Sequence, residues 1–208
     1  PLDPDEPTHV AESIALMKLS HAVITSVDRD DLPDLGAAHW AQTIREIKRL
    51  NPETTTEVLI PDFQGRKELV DQVIKACPEI ISHNMETVKR ISPQVRSAAN
   101  YHTSLEVIRQ IAESGITAKS GIMVGLGETP AEVEELMDDL ISVGCKILTI
   151  GQYLQPTHKH FPVAAYITPE QFAVYKETGL KKGFEQMESA PLVRSSYHAE
   201  KHIRFNNK

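Results

Sequence analysis

The sequence predicts an α/β chain folded as an incomplete parallel (β/α) barrel, and three observations carry that prediction. Six short apolar stretches alternate with helix-patterned ones at the spacing of βα units, which makes a parallel sheet the default. Polar clusters follow the strands at their C-terminal ends, where barrels place their binding loops. The chain opens on a helix and offers six strands rather than eight, so the first strand is expected to be missing and the barrel open. Residues 1–208 read as a single domain, with 192–208 as a C-terminal segment carrying its own polar motif.

Taken in order, Thr8 is placed to cap a helix over His9–Ser20, with Val10, Ile14 and Met17 as its apolar stripe. A strand over Ala22–Val27 runs into Ser26-Val27-Asp28-Arg29-Asp30-Asp31. Residues 37–50 return to helix, with Trp40, Ile44 and Ile47 on one stripe. Glu57–Ile60 is a strand closed by Pro61-Asp62, Arg66–Ala76 is helical, and Glu79–Ser82 is a strand leading into His83-Asn84-Met85-Glu86-Thr87. A helix over 104–114 precedes the most informative stretch, Lys119–Glu132.

That stretch begins as a strand whose side chains alternate. Lys119, Gly121, Met123 and Gly125 share one face; Ser120, Ile122 and Val124 share the other. Glycines around a lysine describe an inner face with room for a ligand, and Glu128 then falls at the strand's C-terminal end. Thr129, Pro130 and Glu132 spell the entry of a helix over 130–143. Lys146–Ile150 is a strand ending in Gly151-Gln152-Tyr153-Leu154-Gln155-Pro156. Thr168 and Pro169 start a helix to about Lys182, and Gln186–Ser189 is a weak last strand before Val193-Arg194-Ser195-Ser196-Tyr197-His198.

Composition narrows the function classes. A net charge of −7 argues against nucleic acid or an anionic membrane surface as the main partner. No apolar run approaches the roughly 20 residues a spanning helix needs. Cys77 and Cys145 are isolated, so no disulfide framework or cysteine metal box is written, and two lone thiols suit a reducing cytoplasm. Gly125-Leu126-Gly127 lacks the rest of a dinucleotide fingerprint and has no GK[ST], which rules out the Rossmann and P-loop readings.

Each cluster also has a plainer alternative. By itself Asp28-Arg29-Asp30-Asp31 reads as a solvated loop, and Asn84 reads equally as a helix cap with Glu86 in the first turn. His158 and His160 suit a surface loop, while Met17, Met123, Met137 and Trp40 suit the core. Lys119 has no such alternative, since a mid-strand lysine must find an anion or water.

Seven segments taken together resemble one family, the lipoyl synthases of the radical S-adenosylmethionine (SAM) enzymes. They are Thr25–Asp31 with Gly36-Ala37, Pro61-Asp62-Phe63, His83–Thr87, Val95-Arg96, Lys119–Thr129, Gly151–Pro156 and Val193–Ala199. The resemblance implies a partial TIM-like barrel, a SAM-binding [4Fe–4S] cluster and a second, auxiliary [4Fe–4S] cluster. The implied chemistry is reductive cleavage of SAM to a 5′-deoxyadenosyl radical and insertion of two sulfur atoms into a protein-bound octanoyl chain. Its implied partners are octanoylated lipoyl-carrier domains, such as dehydrogenase-complex E2 subunits and the glycine-cleavage H protein, and a one-electron reductant such as ferredoxin or flavodoxin.

By the same resemblance, Ser196 matches a serine ligand to the auxiliary cluster, and Arg194 an arginine that exchanges with it. Asn84 and Glu86 resemble the pair holding the SAM ribose, and Gly121 to Glu128, including Gly125, the strand along which the adenosyl part lies. Ser26 and Asp28 are placed for the SAM amino group; Arg96 and Lys119 suit a carboxylate, that of SAM or of a nearby side chain. The chain departs from the family in one respect: neither a CxxxCxxC loop nor a second cysteine triplet is present. The expectation is a fragment that begins downstream of that loop and is catalytically incompetent by itself. The rival readings are a cluster-free carrier-binding module and a barrel lyase using Lys119 as a Schiff-base amine.

Overall fold

Side-chain alternation along parallel strands decides the architecture, because it sorts the sequence onto two faces of one sheet. The strands are β1 (His21–Thr25), β2 (Thr55–Leu59), β3 (Ile80–Ser82), β4 (Thr117–Val124), β5 (Ile147–Gln152) and β6 (Gln186–Ser189). They hydrogen-bond in chain order, every neighbouring pair parallel. The structure, a computed structural model, describes residues 1–96, 99–197, 199 and 200. His198 of the predicted motif and residues 201–208 of the C-terminal segment lie outside the described residues. Among those described, β1 and β6 do not pair, so the expected open parallel barrel is what the chain builds.

The register places Glu57 beside Val23 and Ile80, and Lys119 beside Ser82 and Ile147; Gly121 pairs with Thr149, and Met123 with Gly151. His21, Glu57, Ser82, Lys119, Gly121, Thr149 and Gly151 thus share one parity, and this inner face is polar. The opposite parity, with Val58, Ile81, Ala118, Val124, Leu148, Ile150 and Met187, is mainly apolar. These residues pack against the helices in one cluster.

Those helices are α1 (Glu6–Met17), α2 (Ala37–Leu50), α3 (Lys67–Ile74), the single turn α4 (Ser92–Val95), α5 (Tyr101–Glu113), α6 (Pro130–Ser142) and α7 (Pro169–Lys182). Ile44, Val70, Ile108, Leu136 and Phe172 are their buried anchors. Each is worth roughly 1.5–3 kcal/mol of transfer free energy.

Helix starts are where structure and expectation differ. α1 begins at Glu6 with Pro7 in its first turn, where a missing N–H costs nothing, so Thr8 lies inside the helix rather than capping it. Lys18, at φ 54°, ends it in the left-handed conformation. Its buried residues are Pro7, Ala11 and Ile14, while Met17 is 59% exposed rather than core. α5 starts three residues before the expected 104, because the Asn100 side chain accepts from the N–H groups of His102 and Thr103.

α6 follows expectation. The Thr129 hydroxyl accepts from Glu132 N at 3.3 Å, and the Glu132 carboxylate accepts from Thr129 N at 2.8 Å. This reciprocal cap fixes the turn by which the chain leaves β4 at the mouth of the barrel. Replacing Thr129 with alanine is expected to lower the unfolding free energy by about 1 kcal/mol with an unchanged denaturant slope. Urea titration followed by circular dichroism measures both.

Candidate functional site

The site is built around the segment that leaves β3. After Ser82 the chain does not turn away; it re-pairs with β4, Glu86 N donating to Gly121 O at 3.1 Å and Met123 N to Glu86 O at 2.8 Å. Glu86 adopts φ 64°, a strained conformation for a non-glycine residue, held by those two bonds. The outcome is that Asn84 lies over the inner face of β4. A Cβ added to Gly121 would stand 2.8 Å from Asn84 Oδ1 and 2.7 Å from Thr149 Oγ1, so only glycine leaves Asn84 its place.

Two cavities meet at Asn84 and Glu86. The larger, about 460 Å³, is polar and includes Ser26, Asp28, Asp30, Asp62, His83 and Arg96 in its lining. The smaller, about 250 Å³, is walled by Gly121, Ile122, Met123, Thr149, Gly151, Gln152, Leu154, Val193, Arg194 and Ser195. Together they form one elongated cleft with an ionic end, a less charged end and an amide–carboxylate pair between. Asn84 donates from Nδ2 to Ser195 Oγ at 3.3 Å, while its buried Oδ1 has no partner among the described residues. A buried, unanswered carbonyl facing a cavity is placed to accept from a ligand.

The electrostatics of the ionic end are set by burial. Burial pushes the Glu86 carboxyl above its ordinary range, against the opposing pull of the Asn84 amide and the Arg96 charge. Burial likewise lowers Arg96, against Glu86, Asp62 and Asp28, in that order. Arg96 donates to Ser104 Oγ at 3.0 Å, and Ser104 Oγ lies 2.9 Å from His83 Nε2. His83 Nδ1, 3.0 Å from Ile60 O, must be the protonated nitrogen, so Nε2 accepts the serine hydroxyl. Burial lowers the His83 pKa to about 4, and the neutral ring orients the serine that holds Arg96.

Of the residues singled out from the sequence, Ser26, Asp28, Asn84, Glu86 and Arg96 line the polar cavity, and Arg194 the smaller one. Four others are placed elsewhere. Ser196 is exposed and outside both linings; its neighbour Ser195 takes the inward position. Glu128 accepts from Gly125 N at 2.6 Å and Leu126 N at 2.9 Å, so its carboxylate closes its own turn instead of facing the cleft. Gly125, at φ 98°, packs so closely on Gln152 and Ala165 that an added Cβ would collide with both, and it too lies outside the cavities.

Lys119 is fully buried and gives its charge to Glu57, Nζ to Oε1 at 2.6 Å, and a further hydrogen bond to Ser195 O at 2.6 Å. Of the two carboxylates considered for it, the structure supplies the side chain. Glu57 read as no more than a strand residue in the sequence. The usable signal was a charge of opposite sign at inward parity two strands away. Thr149 of the cleft carries no signal of its own in the sequence, and Gln152 is marked there only as part of the Gly151–Pro156 segment.

The two thiols sit at the other end of the strands. Cys77 precedes β3 and Cys145 precedes β5, so both lie in loops entering strands, opposite the loops that form the cleft. Cys145 is buried, and burial pushes its thiol up to about 12, which keeps it protonated. Among the described residues no group of three or more His, Cys, Asp or Glu side chains is placed to hold a metal ion. No helix among them is long and apolar enough to cross a membrane.

Comparison with known proteins adds an independent line. The model of the radical SAM superfamily matches residues 1–140. A curated lipoyl synthase from Bacteroides fragilis (strain YCH46) is 99% identical over 208 residues, all of this chain and 72% of that protein's length. The lipoyl synthase of Phocaeicola vulgatus is 81% identical over 205 residues, and the mitochondrial lipoyl synthase of Nematostella vectensis 57% over 203. Among solved structures, methylornithine synthase (PylB) superposes with a TM-score of 0.65 at 9% identity, covering 93% of this chain and 64% of that one. Streptococcus suis SuiB bound to S-adenosylmethionine gives 0.68 at 9%, covering 98% and 47%. At such identities these two show the fold alone.

His83 supplies a pH test of the site's architecture. Its folded pKa lies below that of the unfolded chain, so between about pH 4 and 6.5 the unfolded state binds the extra proton. Its contribution to stability is therefore full above 6.5 and lost as pH falls toward 4. Nitrogen-detected NMR of the imidazole is expected to show a neutral Nδ1–H tautomer still at pH 5; a protonated ring there would remove this account of Arg96.

Proposed function

As this chain belongs to the lipoyl synthase family of the radical SAM superfamily, we propose that the cleft spanned by Asn84 and Glu86 binds S-adenosylmethionine. The observation that carries this is the unpartnered Asn84 Oδ1 beside the Glu86 carboxylate at the junction of two cavities. A diol between two dissimilar ends is the ligand such a junction suits: the ribose hydroxyls donate to Oδ1 and to the carboxylate. The carboxylates of Asp28, Asp30 and Asp62 favour the cationic methionyl end in the polar cavity, where Arg96 answers its carboxylate. The smaller cavity, with Gly121, Ile122 and Met123 as its floor, receives the flat adenine. Bound there, SAM supplies the oxidising equivalent for hydrogen abstraction from an unactivated carbon.

The substrate of this reading is the octanoyl chain of a lipoyl-carrier domain, which reaches the cleft from the strand C-terminal side. Ser196 and Arg194 face that approach: the first is exposed beside the cleft, and the second lines it. Were an auxiliary cluster held there, Ser196 would be its oxygen ligand and Arg194 the charged side chain beside it. The chain's own cysteines do not fit either cluster. There are two, where one cluster takes three thiolates, and both lie at the far end of the sheet. These 208 residues alone therefore neither hold a stable cluster nor cleave SAM.

Calorimetric titration tests the binding half of the reading. The protein is expected to bind SAM, and Asn84→Ala to weaken binding by about ten- to a hundredfold, the effect of one or two hydrogen bonds to a buried acceptor. Absence of binding by the unsubstituted protein overturns it. For the other half, anaerobic reconstitution with iron and sulfide is expected to leave iron well below four per chain and no 5′-deoxyadenosine after dithionite. Stoichiometric iron with product would show that other residues serve as ligands.

A further inference from the structure

Residues 191–195, at the start of the C-terminal segment, cross the mouth of the barrel. Pro191 O accepts from Gln152 N at 3.2 Å, and Val193 O runs so close over Gly151 that an added Cβ there would collide with it. Two residues later the chain is caught from both sides, Asn84 Nδ2 on Ser195 Oγ at 3.3 Å and Lys119 Nζ on Ser195 O at 2.6 Å. The lysine that makes the second contact is itself fixed by Glu57, both side chains wholly buried, with His21 Nε2 behind the carboxylate at 3.9 Å.

We infer that the Glu57–Lys119 pair is the positioning element of the site: from the interior of the barrel it holds the Ser195 carbonyl and so sets where Arg194 and Ser196 stand. This rests on the assignment of the cleft given above, and the pair itself lies outside either cavity lining. The pair's geometry argues for the role. A carboxylate alone would satisfy the lysine's charge, yet the ammonium is also directed at a main-chain oxygen of a segment 76 residues further along the chain. A backbone carbonyl is an anchor that no substitution at position 195 removes. By contrast, the Asn84–Ser195 contact depends on side chains that also face the cleft. Positioning through the main chain makes no demand on the side chains of 194, 195 and 196.

Hydrogen exchange of the 208-residue protein tests this without reference to turnover or to SAM. The amides of Val193 and Tyr197 donate to Ala190 O and Arg194 O, so their protection reports whether the segment is held. The informative variant is the double substitution Glu57→Gln/Lys119→Met, which removes both charges and leaves no buried ion unpaired. Lys119→Arg, which keeps a donor of different length, is the second. In the double variant the exchange of Val193 and Tyr197 is expected to rise about tenfold or more, while β4 and β5 amides keep their protection. Lys119→Arg should restore part of it. Unchanged protection at 193 and 197 would overturn the inference, and so would a uniform rise across β2, β4 and β5, which would make the pair a brace of the sheet only. If the unsubstituted protein fails to bind SAM but the local exchange effect appears, the cleft assignment fails and this inference stands.

Discussion

One constraint runs through the molecule: in a parallel sheet, residues of equal parity are forced onto the same face. The crossover helices of this chain cover one face, which is therefore mainly apolar, and the charged side chains buried within the strands are delivered to the other. His21, Glu57, Ser82, Lys119 and Thr149 are not scattered charges and hydroxyls but the contents of a single concave surface. An acid and a base on that surface cannot both go unanswered at such burial, and their pairing at 2.6 Å is the resolution. Removing either partner alone would leave a buried charge, at a cost of about 3–5 kcal/mol.

The cleft follows from the same geometry. A barrel completed with large side chains fills its own centre. Here β4 and β5 present Gly121, Thr149 and Gly151 inward, and the volume they leave is taken by Asn84 from one side and the 193–195 segment from the other. Sequence-distant pieces meet because small residues let backbone approach backbone. The strain at Glu86 belongs to this arrangement, since a segment that leaves β3 only to re-pair with β4 must bend sharply in between.

Much of this was legible in the sequence. Six strands, their parallel order and the position of the polar loops follow from period-two and period-3.6 patterning, and the α6 entry from three residues at fixed offsets. The side chains after β1 and β3 that line the polar cavity were also accessible, because polar clusters follow both strands in the sequence. What escaped were facts of pairing. Glu128 reads as a free carboxylate until its turn closes and two amides claim it. Lys119 reads as a ligand until Glu57, 62 residues earlier, is brought beside it. Ser196 and Ser195 are indistinguishable in a string, and only the path of the chain across Gly151 decides which of them turns inward. Patterning fixes which face a residue occupies; it does not say which neighbour will be there.

The close passage over Gly121 and Gly151 also constrains how the gene can vary. Any amino-acid replacement at either position adds at least a methyl group where Asn84 and Thr149, or the main chain of Val193, already stand. The surrounding helices can trade one hydrocarbon for another through many rounds of drift. These two positions cannot, so the shape of the cleft is inherited through side chains that are not there.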